Sequence, residues 1–238
     1  MASKQQAFDT LQQWVLDALD WAYDRALSGA PGIDSVDQLA ASYARLPGPA
    51  WEQVGRLITM QTVKAGTAGF VTGLGGAFTL PATLPANLAS VYFIQLRMIA
   101  AIARLGGYDV RDDQVRTLCY TCLVGQKAAA LVQGTGVLVG QKVALNMVKK
   151  IPGAVLVKIN KAVGFRLVTK MGKAGVVNLG KLTPFVGGPI TAAFDATTTN
   201  TAGRAARRFF ISPTGPVVFV PDVLPPTESD SGIVITSA

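Results

Sequence analysis

Ala65-Gly-Thr-Ala-Gly69-Phe-Val-Thr-Gly73-Leu-Gly-Gly-Ala77-Phe-Thr79, then Leu80-Pro81-Ala-Thr-Leu-Pro85, then Ala86-Asn-Leu-Ala-Ser90-Val-Tyr-Phe-Ile-Gln95-Leu96, contains no charged side chain. These 32 residues lie between Lys64 and Arg97. On charge alone they are long enough to cross a bilayer as a helix. Pro81 and Pro85 divide them, and a helix interior does not tolerate two prolines. The first arm, Ala65–Thr79, would be about 22 Å long as a helix against ~30 Å of hydrocarbon. The stretch is therefore expected to form a helical hairpin, either dipping partway into lipid or buried in a core. Ala65, Gly69, Gly73 and Ala77 recur every four residues and line one face, which lets a second helix approach closely. The second arm is predicted as a helix over Ala86–Leu105. With Val91, Phe93, Ile94, Leu96, Met98, Ile99 and Ile102 it is apolar almost all round. The four-residue ladder, Phe93 and Leu96 are thus candidate contacts to membrane or to neighbouring helices.

Toward the N-terminus, residues 5–28 read as an amphipathic helix. Phe8, Leu11, Trp14, Val15, Ala18, Leu19 and Ala22 form one face, and Gln13, Asp17, Asp20 and Asp24 the other. Gly29 and Pro31 stop it. Ser35 is a plausible N-cap for a short helix ending near Leu46, and Pro47 and Pro49 precede a helix carrying Trp51, Val54, Leu57 and Ile58. Met1–Asp9 has no apolar core of the kind a secretory signal needs, so none is expected.

Toward the C-terminus, Gly106-Gly107 ends the second arm. Asp109 or Asp112 can cap a helix running to about Gln133. Gly136, Gly140 and Ala144 repeat the small-residue spacing. Pro152 opens a helix over Ala154–Met171, and a glycine-rich connection leads to a last helix near Ile190–Phe210. From Ser212 the chain has five prolines and no Lys or Arg, the composition of an exposed tail. The fold class is all-α: N-terminal helices over 1–48 packing on a helical domain over 49–211, then a disordered or extended tail over 212–238.

Charge is unevenly placed. The 238 residues include 22 Lys and Arg against 14 Asp and Glu, for a net charge of +8. Only 15% of residues are charged, whereas soluble domains carry about 25%. Mean hydropathy is +0.36, so much of the surface is expected to face lipid or a partner. From Gln114 to Phe194 there is no acid, yet 11 basic residues. Lys149, Lys150, Lys158, Lys161, Arg166, Lys170, Lys173 and Lys181 are the candidate anion or lipid-headgroup ligands. On the helix near 154–171, Lys158 and Lys161 share a side, while Val155, Ile159, Val163 and Leu167 face the core. Three partners fit these cations: solvent and acids of the N-terminal helices, acidic lipid at about 1 kcal/mol per residue, or nucleic acid. With aromatics at 8%, base-stacking platforms are sparse and nucleic acid is disfavoured.

The chain has no histidine. That removes Ser-His-Asp and Cys-His catalysis and His zinc ligands. Cys119-Tyr-Thr-Cys122 would place both sulfurs on one helix face, but no other Cys or His completes a metal site and no βαβ pattern suggests a redox motif. The two cysteines read as buried small residues in a protein of a reducing compartment. Gly175-Val-Val-Asn-Leu-Gly-Lys181-Leu182 has the spacing of a phosphate loop but Leu where Ser or Thr must hold Mg²⁺. Asp109 and Asp195 are candidate buried acids, Asp195 because Ala-Ala-Phe-Asp-Ala surrounds it with apolar residues. Such an acid would want a basic partner, or act as a functional acid. No catalytic residue, metal or cofactor is assigned.

Several segments together resemble the EcsC family of bacterial proteins. They are Gly69-Phe-Val-Thr-Gly-Leu-Gly-Gly76, Leu84-Pro-Ala-Asn-Leu88, Ile102-Ala-Arg-Leu-Gly-Gly-Tyr-Asp109, Ile151-Pro-Gly-Ala154, Lys158-Ile-Asn-Lys-Ala-Val-Gly-Phe-Arg-Leu-Val-Thr-Lys170, Asn178-Leu-Gly-Lys181, Pro184-Phe-Val-Gly-Gly188 and Phe194-Asp195. The likeness runs from about 50 to 211. Asn87 stands where the family often has an acid, so no role resting on that acid is carried over. The resemblance implies a helical, membrane-associated bacterial protein and brings no established catalytic residue. The resulting expectation is an accessory or lipid-binding protein at the cytoplasmic face of the membrane. Anionic lipids would be its partners, and a membrane protein a possible further one. A lipid- or envelope-directed enzyme and a soluble helical interaction protein are the alternatives.

Overall fold

The computed structural model describes residues 2–29, 32–65, 86–134, 148–175 and 188–212, with side chains left undescribed at a few helix ends. The protein is all-α, and no β-strand occurs among the described residues. The helices are α1 Ala2–Ser28, α2 Val36–Ala44, α3 Ala50–Ala65, α4 Ala86–Leu105, α5 Asp113–Cys122, α6 Ala128–Gln133, α7 Gly153–Gly175 and α8 Gly188–Phe210, with a 3₁₀ turn at Gly125–Lys127. Their ends follow local chemistry. Ser35 closes a capping box on α2: its Oγ accepts from the Gln38 N–H at 3.2 Å, and the Gln38 Oε1 accepts from the Ser35 N–H at 2.8 Å. Gly29 adopts φ +72° where a Cβ would lie 2.8 Å from the Ser35 nitrogen, so only glycine fits. The helix expected to run from Asp112 to Gln133 is broken instead, because Gly125 takes φ +66°.

α4 is the axis of the fold, packed by α1, α2, α3 and α8. Phe93, Leu96, Met98, Ile99 and Ile102 are fully buried. This corrects part of the sequence reading. Phe93 and Leu96 pack against other helices and have no surface to offer lipid, since four helices already cover the all-round apolar face. Ala65 is buried at the end of α3. Gly69, Gly73 and Ala77, the rest of the first arm, the second small-residue ladder and the tail from residue 213 lie outside the described residues. Trp14, expected on the apolar face of α1, is 49% exposed, because it falls about 100° from Val15 at the margin of that stripe.

Two flanks form around α4. On one, α8 runs parallel to α4 and antiparallel to α3. Gly203 permits this approach: a Cβ there would meet Ile58 Cγ1 at 2.8 Å and Met98 Cε at 3.0 Å. On the other flank α1 packs on α4, and α7 packs on α1 and α5. Gly164 of α7 sits against Gln12 and Leu16, and the Gln12 amide donates to the Lys161 carbonyl at 2.8 Å. Phe8 and Phe165 complete this seam with ring centroids 5.4 Å apart.

Candidate functional site

The outer face of α7 is the first candidate. Ile159, Val163 and Leu167 are buried, as their spacing predicts. Lys158 and Lys161 point outward, with Val157 and Phe165 exposed beside them at 55% and 53%. Lys149 and Lys150, just before α7, are exposed too. None of these four lysines forms an ion pair among the described residues. Lys149 shares a shallow cleft with Asp109 and Asp112 without bonding either. Arg166 is half-buried on the flank of the same helix. The side chains of Lys170 and Lys173, and all of Lys181, lie outside the described residues.

Several arginines elsewhere in the fold do find partners. Arg116 reaches Asp20 and Asp24 of α1 and lies over the Tyr23 ring at 5.0 Å. Arg97 donates from Nε to the Asp34 carbonyl at 2.8 Å, and Arg104 from Nε to Asp37 Oδ1 at 2.9 Å.

A second candidate is a polar layer between α3, α4 and α8. Ile58, Met98 and Gly203 meet at one level. One turn along, the helical repeat brings Gln61, Gln95 and Thr199 to a common level. All three are buried. The Gln95 amide donates to Thr198 Oγ1 at 3.1 Å and Thr199 Oγ1 at 3.2 Å. Neither polar atom of the Gln61 amide has a hydrogen-bond partner. Asp195 lies one turn further along α8, half-buried, and desolvation raises its pKa to about 6. No basic side chain among the described residues pairs with it. Asp109 is not a buried acid. It is exposed in the turn after α4, where its Oδ1 accepts from the Arg111 N–H at 3.0 Å.

Cys119 and Cys122 are buried free thiols. Burial raises both pKa values, that of Cys119 to about 12, which suits packing and not thiolate chemistry. Two features escaped the sequence reading. The polar layer is invisible until three distant helices are in register. The arginines Arg204, Arg207 and Arg208 lie just beyond the acid-free stretch, though their three- and four-residue spacing was legible.

The family model described as the EcsC protein family matches residues 5–211. The chain belongs to the EcsC family. Its match takes in α1 and α2, beyond the 50–211 span that the motifs carried. Neither the curated proteins nor the solved structures hold a match to this EcsC chain. No helix among the described residues is long and apolar enough to cross a membrane.

Proposed function

We propose that this EcsC protein binds the surface of an anionic membrane at the cytoplasmic face, as a non-catalytic accessory or lipid-binding factor, through the outer face of α7. The observation that carries the reading is that Lys149 and Lys150, just before α7, and Lys158 and Lys161 on it are exposed and pair with no acid among the described residues, with Val157 and Phe165 exposed on the same helix. Lysines hold headgroup phosphates, and the two apolar side chains can enter the interface between headgroups and acyl chains. Acids are absent from Gln114 to Phe194, so nothing in that stretch of chain repels such a surface. The contribution first expected from Phe93 and Leu96 drops out, because both are core residues.

Flotation with vesicles tests this. The full chain should float with phosphatidylglycerol-containing vesicles at low salt and stay behind with neutral ones. Replacing Lys158 and Lys161 by alanine should weaken binding about thirtyfold, at ~1 kcal/mol per lysine. Failure to float with either vesicle type defeats the reading. The enclosure of α4 favours the alternative of a water-soluble interaction protein, which predicts that failure.

A further inference from the structure

A second cationic cluster lies on the flank away from α7. Arg204, Arg207 and Arg208 share one face of α8, and the exposed Arg56 stands on α3 beside it. α7 packs on α1 and α5, whereas α3 packs on α8 and α4, so the two clusters have different neighbours. Like charges three and four residues apart repel. No acid among the described residues pairs with Arg56, Arg204, Arg207 or Arg208. Glu52, on the outer face of α3 with Arg56, does not pair with them either.

Arg207 is held in place and left unsatisfied. Its guanidinium lies over the Trp51 ring at 4.0 Å. Gly55 lies beside it, where a Cβ would stand 3.4 Å from Nη1. Its Nε is buried without an acceptor. Desolvation, then repulsion from Arg204 and Arg208, pushes its pKa down. A guanidinium held over a ring, with two arginines beside it, carries the planar fork that can take two oxygens of one phosphate.

We propose that Arg207, with Arg204 and Arg208, forms a binding site for the phosphate group of a soluble phosphorylated molecule. Arg207 supplies the planar fork, Trp51 orients it, and Arg204 and Arg208 supply charge.

The test uses pyrophosphate and the full chain. Calorimetry should show binding, accompanied by a change in tryptophan emission that is lost in Trp51→Phe. Arg207→Lys keeps the charge but not the fork, and should weaken binding roughly tenfold. The double variant Arg204→Ala, Arg208→Ala, both at exposed positions, should weaken it as well. Lys158→Ala with Lys161→Ala should leave it unchanged. The proposal falls if wild-type protein ignores pyrophosphate, if Arg207→Lys binds as well as wild type, or if the α7 lysines prove equally required. Phosphatidate vesicles separate the sources. Should Arg204→Ala, Arg208→Ala lose vesicle binding but keep pyrophosphate binding, the phosphate is a headgroup and the soluble ligand is overturned. Loss of the α7 reading alone would leave the pyrophosphate result standing.

Discussion

α4 and α7 look alike as sequence: long, apolar, carrying two or more cations and no acid. The fold treats them oppositely. α4 is enclosed on every side, and its Arg97 and Arg104 are anchored on Asp34 and Asp37. α7 buries one stripe and presents Lys158 and Lys161 with no ion-pair partner among the described residues. The difference lies in the supply of acids. Asp34 and Asp37 sit at the start of α2, directly against α4, and Asp20 and Asp24 of α1 are taken by Arg116 of α5. No acid among the described residues pairs with Lys158 or Lys161 of α7. A cation buried without a partner costs several kcal/mol, so an arginine on the axis has to be matched and a lysine on the rim does not.

The contrast can be broken first at Asp37. Asp37→Ala would remove the acid that the buried Arg104 and the nearby Arg111 share, and should cost about 3–5 kcal/mol in urea unfolding. A loss under 1 kcal/mol would mean that α4 tolerates loose cations as α7 does. Next comes the unsatisfied amide of α3 in the polar layer against the axis. Gln61→Met, similar in shape, should stabilise the protein by about 1–3 kcal/mol, because a stranded polar group is removed. Destabilisation would show that the amide has a partner in solution.

Asp195 sharpens the comparison through pH. Its folded pKa, about 6, lies above the ordinary value of 3.8. The folded state therefore favours the protonated acid, and wild-type stability from this group falls as pH rises from about 4 through 6. Asp195→Asn should melt a few degrees higher than wild type at pH 7.5 and equally at pH 3.5. An unchanged difference across that range would remove desolvation as the cause. The smallest effect belongs to α7. Lys158→Ala and Lys161→Ala should each shift stability by no more than about 0.5 kcal/mol, while vesicle binding falls. A larger stability loss would mean that these lysines are structural after all.

Most of this architecture was readable from spacing alone. The bounds of α4 came out as Ala86–Leu105, Ser35 was legible as an N-cap, and the inward stripe of α7 followed from Ile159, Val163 and Leu167. What periodicity could not report is which apolar helix becomes the axis. An all-round apolar pattern reads the same against lipid as against four other helices. The break at Gly125 depended on a positive φ, and a glycine permits that conformation without demanding it. The polar layer needed Gln61, Gln95 and Thr199 to come together from separate helices, which is tertiary information. Trp14 was misplaced because a residue at the edge of a stripe satisfies the spacing without meeting the core.

The close fit of α8 into the slot formed by α3 and α4 bears on how the molecule is made. Gln95 and Thr198 are 103 residues apart along the chain. As the polypeptide leaves the ribosome, the apolar sides of α3 and α4 must wait for that whole interval before their cover is synthesised. At about 5–20 residues per second the wait is on the order of 5–20 s. In that window the nascent chain exposes a sticky seam, and a chaperone or an early contact with lipid would shield it until Gly203 arrives to close the groove.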